Sequence, residues 1–147
     1  MNTTTHALPA GLPAPAVEPL TRPYWEGTRS GRLLVQRCRS CGKHQWGPEW
    51  LCHRCHSFDL DWAEVAPRGR IWSWQRPHHP VHPALKGATP YTIVLVELPH
   101  ADNVRMVGNL LVAPDAPVVI GAEVEAVFEA HDAAETPYTL VQWRPKG

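Results

Sequence analysis

The sequence predicts a mainly β protein in which a short helix and a four-cysteine metal-binding ribbon precede a small five-stranded barrel. Two Cys-x-x-Cys pairs stand in the first half of the chain, separated by ten residues, and this is the spacing of a ribbon. Five segments with strand patterns fill the second half. The 16 Pro and ten Gly among 147 residues favour short strands with turns over long helices.

Residues 1–20 are rich in Pro and Ala and show no hydrophobic periodicity. We therefore expect a mobile arm, or one that orders only on a partner. The segment lacks the basic and then apolar layout of a secretory signal, and the chain has no apolar run long enough for a membrane span. These features predict a cytoplasmic protein, in which reduced thiols favour metal ligation over disulfides.

A short helix is predicted after the arm and a strand after the helix. Thr21 can cap this helix, Pro23 fits its first turn and Gly31 can end it. Residues 32–37 then form a strand pattern that leads into the first cysteine pair. We assign residues 21–66 to a helix and ribbon unit.

Four cysteines carry the strongest chemical signal, and they are Cys38, Cys41, Cys52 and Cys55. Each pair places two thiolates at a tight turn, and two facing turns supply a tetrahedral sulfur site that suits Zn²⁺. Iron fits the same spacing, and the pattern also allows unligated thiols or a redox dithiol. A closed zinc site is structural, and it leaves no cysteine as a nucleophile.

The two cysteine turns differ at one position. Gly42 follows the second cysteine of the first pair and suits the left-handed backbone that such turns use. His56 occupies the equivalent position in the second pair and tolerates that backbone less well. We expect a slightly weaker second turn.

The remaining residues, 67–147, are predicted to form the barrel. Its strand patterns lie at 69–75, 91–98, 104–112, 118–130 and 138–144. Gly108 lies inside one of them and predicts a bulge or a sharp bend, as closing a small barrel requires. A bent five-stranded set favours the oligonucleotide/oligosaccharide-binding (OB) type, and an SH3-like barrel fits the pattern nearly as well.

Tryptophans and histidines allow two interpretations each. Trp25, Trp46, Trp50 and Trp62 surround the cysteine pairs, and Trp72 and Trp74 begin the barrel. We expect these side chains to pack the ribbon on the barrel, although Trp46 or Trp50 could instead be exposed at a protein interface. His78, His79 and His82 lie in a Pro-rich loop, where solvated side chains are favoured over a second metal site or a general base.

Charge is balanced overall but uneven along the chain. Residues 22–56 hold seven Lys and Arg against two acidic residues, whereas residues 57–147 hold seven basic and eleven acidic residues. The basic half can attract phosphates or an acidic protein surface. An ordinary solvated surface explains the same distribution equally well.

Several segments together resemble the DUF35 group of zinc-ribbon plus OB-fold proteins. They are Pro23-Tyr24-Trp25-Glu26, residues 31–38, Cys41-Gly42-Lys43, Pro48, Cys52, Cys55, Ser57, Trp62, Gly69-Arg70-Ile71, Pro90-Tyr91 and residues 120–124. The resemblance spans residues 20–145, and His56 departs from the glycine usual in that group. It implies an N-terminal helix, a rubredoxin-like zinc ribbon and a C-terminal OB barrel.

The resemblance also implies a function. Such proteins are similar to small subunits that pair with thiolase-like enzymes, aldolases or hydratases acting on coenzyme A thioesters, in which the partner carries the catalytic residues. We accordingly expect a non-catalytic accessory subunit, a hetero-oligomer with a larger thiolase-fold subunit, and an acyl-coenzyme A thioester as shared ligand. Arg37, Arg39 and Lys43, near the first cysteine turn, are the candidates for contact with the coenzyme A phosphates.

Two further hypotheses come from different classes of protein. A single-stranded nucleic-acid-binding protein would need aromatic and basic residues on the second and third barrel strands, where the sequence offers only Tyr91 and Arg105. Zero net charge also disfavours that partner, so we expect neither nucleic acid nor membrane as a partner. A stand-alone coenzyme A-binding protein is the second hypothesis, although the apolar strands favour a covered surface.

Overall fold

The computed structural model of the chain describes residues 6–147. Within them lie one α-helix, eight strands and two short 3₁₀ turns, at Pro83–Leu85 and Pro99–Ala101. The helix and strands are α1 (Arg22–Arg29), β1 (Leu33–Cys38), β2 (His44–Gln45), β3 (Leu60–Val65), β4 (Arg68–Gln75), β5 (Ile93–Leu98), β6 (Val104–Asn109), β7 (Glu123–His131) and β8 (Tyr138–Pro145). No helix among the described residues is long and apolar enough to cross a membrane.

The strands form two antiparallel sheets. The ribbon sheet has the order β2-β1-β3, and the barrel sheet has the order β6-β5-β4-β7-β8. The barrel sheet nearly closes where β6 ends, because the N–H of Asn109 donates to Oε1 of Gln142 over 2.7 Å. The N–H of Leu111 also donates to the carbonyl of Trp143 over 2.8 Å. The predicted mainly β fold, with a ribbon before a five-stranded barrel, is confirmed.

Gly108 is not the site of a bulge, and this part of the prediction is wrong. The pairing of β5 with β6 runs without interruption through Val94 and Gly108. Glycine is needed there because Trp143 packs directly on the backbone, so that a Cβ would lie 2.7 Å from its Cδ1 atom. The irregularity in the sheet falls on β4, between Ile71 and Ser73.

The helix ends as predicted but begins differently. Gly31 has a φ of 69°, and its N–H donates to the carbonyl of Thr28 over 3.0 Å, which closes the C-terminus in the usual left-handed manner. Thr21 makes no side-chain cap to the helix. Its hydroxyl instead accepts the N–H of Glu18 over 3.3 Å.

One hydrophobic core joins the ribbon unit to the barrel. Tyr24 of α1 and Leu33 and Val35 of β1 belong to the same buried cluster as the barrel residues Val96 and Trp143. A ribbon of this size cannot bury a core alone, so its inner strand packs on the barrel.

The tryptophans divide between packed and exposed positions. Trp25, Trp46 and Trp62 pack against the core, as expected. Trp50 is 64% exposed, and Trp72 and Trp74 are 46% and 40% exposed, so the expectation that they pack the ribbon on the barrel is wrong for these three.

The described part of the predicted arm contacts the outer side of β7 and β8. The His6 ring stacks on that of His131, with 4.0 Å between the centroids. The N–H of Ala7 donates to the Glu129 carboxylate over 2.7 Å. This contact covers Glu129, whose side chain is buried.

Candidate metal centre

The four cysteines converge on one point between two turns of the ribbon. All four sulfur atoms lie within 4.8 Å of one another. Sγ of Cys38 is 3.6 Å from Sγ of Cys55, and Sγ of Cys41 is 3.7 Å from Sγ of Cys52. A zinc–sulfur bond of about 2.3 Å in a tetrahedron requires sulfur atoms about 3.8 Å apart, so the cluster has the dimensions of a zinc site.

Backbone geometry makes the two turns equivalent. The N–H of Cys38 donates to the carbonyl of Lys43 over 3.0 Å, and the N–H of Cys52 donates in the same way to the carbonyl of Ser57 over 2.8 Å. The left-handed positions are Gly42, with φ 77°, and His56, with φ 61°. His56 therefore adopts the backbone that the first turn assigns to glycine, as the sequence predicts.

Local electrostatics lower the pKa of two of the cluster's thiols and raise the pKa of a third. The backbone N–H of Cys55, together with that of Arg54, lowers the pKa of Cys52 to about 6 despite its burial. The Cys41 N–H similarly lowers the pKa of Cys38. Although the Ser57 N–H acts in the opposite direction, burial and the three neighbouring sulfurs raise the pKa of Cys55 to about 11. Four crowded sulfurs of this kind are balanced by a divalent ion such as Zn²⁺.

Two buried glutamines hold the loop between the cysteine pairs. Oε1 of Gln36 accepts the N–H of Glu49 over 3.0 Å and the amide of Gln45 over 3.0 Å. Oε1 of Gln45 accepts the N–H of His53 over 2.9 Å. This role was not predicted from the sequence, where the one signal was a glutamine directly after the apolar run of residues 33–35.

The three residues proposed to contact coenzyme A lie around two different cavities. Arg37 and Arg39 line a cavity of about 360 Å³ beside Trp62. Lys43 lines another, of about 370 Å³, together with Trp46 and Arg54 and other residues of the ribbon.

The two arginines also differ in their partners. Arg39 forms ion pairs with Asp61 over 2.8 Å and with Asp59 over 3.7 Å. Its hydrogen bond lowers the pKa of Asp61. Nε of Arg37 donates to the carbonyl of Gly42 over 3.0 Å. The charge of Arg39 is therefore balanced by two carboxylates, whereas Arg37 forms no ion pair within residues 6–147 and donates to a neutral carbonyl.

The histidine loop does not assemble a metal site among the residues described. His78 and His79 are exposed, and Nδ1 of His82 accepts the N–H of Ala84 over 3.1 Å. Across residues 6–147, the four cysteines form the one group of three or more metal-binding side chains close enough to share an ion. The interpretation of a second metal site is not supported.

A further cavity lies away from the metal centre, between the N-terminal segment and β7–β8. It has a volume of about 560 Å³ and is lined by apolar residues of the segment and by the outer side of the strands. At its wall, Nε2 of His131 lies 2.8 Å from Oε1 of Glu129. Both Glu129 oxygens are engaged, since Oε2 accepts the Ala7 N–H.

The fold and the cysteine cluster define a zinc-ribbon protein joined to an OB-fold barrel. Sequence models of two ChsH2 domains match the chain, the rubredoxin-like zinc ribbon domain over residues 25–61 and the C-terminal OB-fold domain over residues 62–129. The DUF35 chain of the solved "Ltp2-ChsH2(DUF35) aldolase" is 35% identical, with a TM-score of 0.74, and the match covers 90% of this chain and 98% of that one. The chain belongs to this DUF35, or ChsH2, family.

Two curated relatives agree with this family. A probable enoyl-CoA hydratase alpha subunit from Thermomonospora curvata is 38% identical over 104 residues, which are 70% of this chain and 31% of the relative. A DUF35 domain-containing scaffold protein from Methanocaldococcus jannaschii is 27% identical over 97 residues, which are 65% of this chain and 67% of the relative. The chain thus spans about a third of the hydratase subunit and two thirds of the scaffold protein.

Proposed function

We propose that the chain is a non-catalytic accessory subunit of a thiolase-type or thiolase-like aldolase complex that processes acyl-coenzyme A. The likeness to the DUF35 chain of the Ltp2-ChsH2(DUF35) aldolase carries the proposal, because it covers 98% of that chain. A relative described as a scaffold protein supports the same role. The partner would be a larger thiolase-fold chain that carries the catalytic residues.

The chemistry of the described residues supports an accessory role. All four thiols of the chain converge on one sulfur cluster, and metal-bound thiolates are not available for acyl transfer. In this role the ribbon is a structural unit, and the shared core fixes its orientation on the barrel.

Coenzyme A contact is the finer part of the proposal. Arg37 and Lys43 are exposed and lie at the edges of cavities, so either can meet a phosphate of a ligand shared with the partner. Arg39 is already paired with two carboxylates and is the weakest of the three candidates. Binding would then need the partner, because neither cavity encloses a whole coenzyme A molecule.

Co-expression with a thiolase-fold chain from the same genome tests the assembly. Size-exclusion chromatography with light scattering should show a complex of defined mass. Acyl-coenzyme A turnover should be absent with this chain alone and should rise when the two chains are combined. Robust turnover by the isolated chain would overturn the accessory role, and so would two chains that elute separately at micromolar concentration.

Calorimetry with coenzyme A separates the accessory role from a stand-alone binding protein. Arg37→Ala and Lys43→Ala are expected to weaken coenzyme A binding by the complex, whereas Lys86→Ala, which changes an exposed lysine of the histidine loop, should not. Tight binding by the isolated chain would favour a stand-alone coenzyme A-binding protein. Salt-dependent retardation of single-stranded DNA by the isolated chain would favour a nucleic-acid-binding protein.

A further inference from the structure

The outer side of β5 and β6 carries apolar side chains beside a tryptophan of β4. Residues directly opposite one another in a sheet share a face, and Leu95 pairs with both Ser73 and Val107. Its neighbours on that strand, Val94 and Val96, are fully buried in the core, so Leu95 faces outward. Ile93 faces outward by the same alternation.

The β-bulge in β4 adds a tryptophan to this surface. Between Ile71 and Ser73 the register shifts by one residue, and a bulge of this kind places two successive residues opposite one partner. Trp72 is the extra residue, and its ring lies beneath Arg105 of the outer face. We call the surface formed by Trp72, Ile93, Leu95 and Val107 the Trp72 face.

Exposure on the Trp72 face is high for apolar side chains. Trp72 is 46% exposed and Val107 is 68% exposed, and Ile93 and Leu95 are half-buried. Contiguous apolar side chains on rigid strands are typical of interaction surfaces, and tryptophan and arginine are among the residues most enriched at their energetic centres.

A fixed group of charges borders the face. Glu97 is 5% exposed and accepts hydrogen bonds from Arg70 over 2.7 Å and from Arg105 over 3.2 Å. The guanidinium of Arg105 also lies 3.7 Å from the ring centroid of Trp72. Two arginines share one carboxylate, so this border carries one uncompensated positive charge, and both arginines are held in place before any partner arrives.

We propose that the Trp72 face is the surface on which the thiolase-fold partner docks, an inference that rests on the proposed function. The complementary surface on the partner is apolar at its centre and carries a carboxylate where it meets Arg70 and Arg105. Such an arrangement buries the tryptophan and completes the charge balance of the arginine pair.

The geometry favours a protein over a nucleic acid on this face. One side of the Trp72 ring is covered by Arg105, which leaves less ring for a stacked base than nucleic-acid barrels provide. Two more exposed apolar residues, Trp50 and Phe58, belong to loops of the ribbon unit and not to β4, β5 or β6.

Matched surface variants of the full chain test the docking face. Val107→Asp places a charge at the most exposed residue of the face, and Val81→Asp makes the same change at a loop valine that is 78% exposed. Arg105→Ala removes a border arginine, and Arg144→Ala removes an exposed arginine of β8 that pairs with Glu125. Binding to the purified thiolase-fold chain is measured by surface plasmon resonance, after circular dichroism and zinc content have established folding.

We expect Val107→Asp to raise Kd by at least about tenfold and Arg105→Ala to raise it by a smaller factor, whereas both controls should stay within about twofold of wild type. If the wild type binds and the Val107→Asp and Val81→Asp variants bind with equal affinity, the docking face is overturned, whereas the accessory role is not. Weakening by Trp50→Ala without weakening by Val107→Asp would place the interface on the ribbon and overturn the inference. Absence of wild-type binding would overturn both proposals.

Discussion

Trp143 packs against the backbone of Gly108, so that a Cβ at residue 108 would lie 2.7 Å from Cδ1 and 2.9 Å from Nε1 of the indole. Trp143 is fully buried, and its Nε1 has no hydrogen-bond partner within residues 6–147. The contact brings β6 to the edge of β8, where the barrel closes. Because residue 108 has no side chain, the two edge strands of the barrel sheet, β6 and β8, can approach each other.

Gly108→Ala should destabilise the protein by about 1–3 kcal/mol, because the methyl group overpacks a well-filled core. The free energy of unfolding is measured by urea denaturation followed through tryptophan fluorescence. Gly47→Ala is the matched control, since a Cβ there meets no atom within 4 Å. Equal midpoints for the two variants would show that the Gly108 contact does not limit barrel closure.

This contact also shows what the sequence can and cannot predict. A glycine in a strand pattern indicates that a side chain is excluded at that position. The side chain that excludes it here is Trp143, which lies far away in the sequence. The strand β3 escaped prediction for a similar reason. Its residues Asp61 and Glu64 interrupt the apolar pattern, and its pairing with β1, rather than local propensity, makes it a strand.

The metal centre was more predictable than its surroundings. Cysteine spacing is local, so the convergence of the sulfurs follows from two short turns. The pairing of Arg39 with Asp59 and Asp61 brings together charges from two turns and an adjacent strand, and composition alone presents Arg39 as a free basic residue. The hydrogen bonds of Gln36 and Gln45 that hold the ribbon loop likewise join separate segments, and composition does not reveal them.

Zinc content is the first measurement for the ribbon. The purified chain is expected to contain one zinc ion by plasma mass spectrometry, and Cys52→Ser should lose most of it. Structural zinc sites contribute an apparent binding free energy of about 10–16 kcal/mol to folding, so Cys52→Ser and chelator treatment should both unfold the ribbon. Arg54→Ala, which alters a non-ligand side chain in the same turn, should retain the metal. Full zinc occupancy in Cys52→Ser would contradict the four-sulfur site.

The two cysteine turns should respond in opposite directions to changes at their left-handed positions. Gly42→Ala adds a side chain at φ 77° and should lower the free energy of unfolding by about 1–2 kcal/mol. His56→Gly relieves the residue at φ 61° and should raise stability by up to about 1 kcal/mol, because greater freedom of the unfolded chain offsets part of the gain. Chelator competition for zinc gives a second measurement. If Gly42→Ala and His56→Gly changed the free energy of unfolding in the same direction, the two turns would not be equivalent.

Acid stability should depend on the carboxylate that borders the Trp72 face. Hydrogen bonds from Arg70 and, to a smaller extent, from Arg105 lower the pKa of Glu97 in the folded chain. Since an unfolded glutamate titrates near about pH 4.3, this group contributes stability that is present above that pH. The contribution is lost as pH falls through the lower pKa of the folded state.

Glu97→Gln should therefore be less stable than wild type at neutral pH, and its stability should decline less steeply below about pH 4. Differential scanning calorimetry between neutral and strongly acidic pH measures both effects. Glu64→Gln is the control, because Glu64 is half-exposed and pairs with one exposed arginine, Arg32, and such pairs contribute little. Parallel pH profiles for wild type and Glu97→Gln would mean that the arginine pair does not hold Glu97 in its charged form. In that case the positive charge beside the Trp72 face would come from Arg70 and Arg105 alone, without a contribution from a charged Glu97.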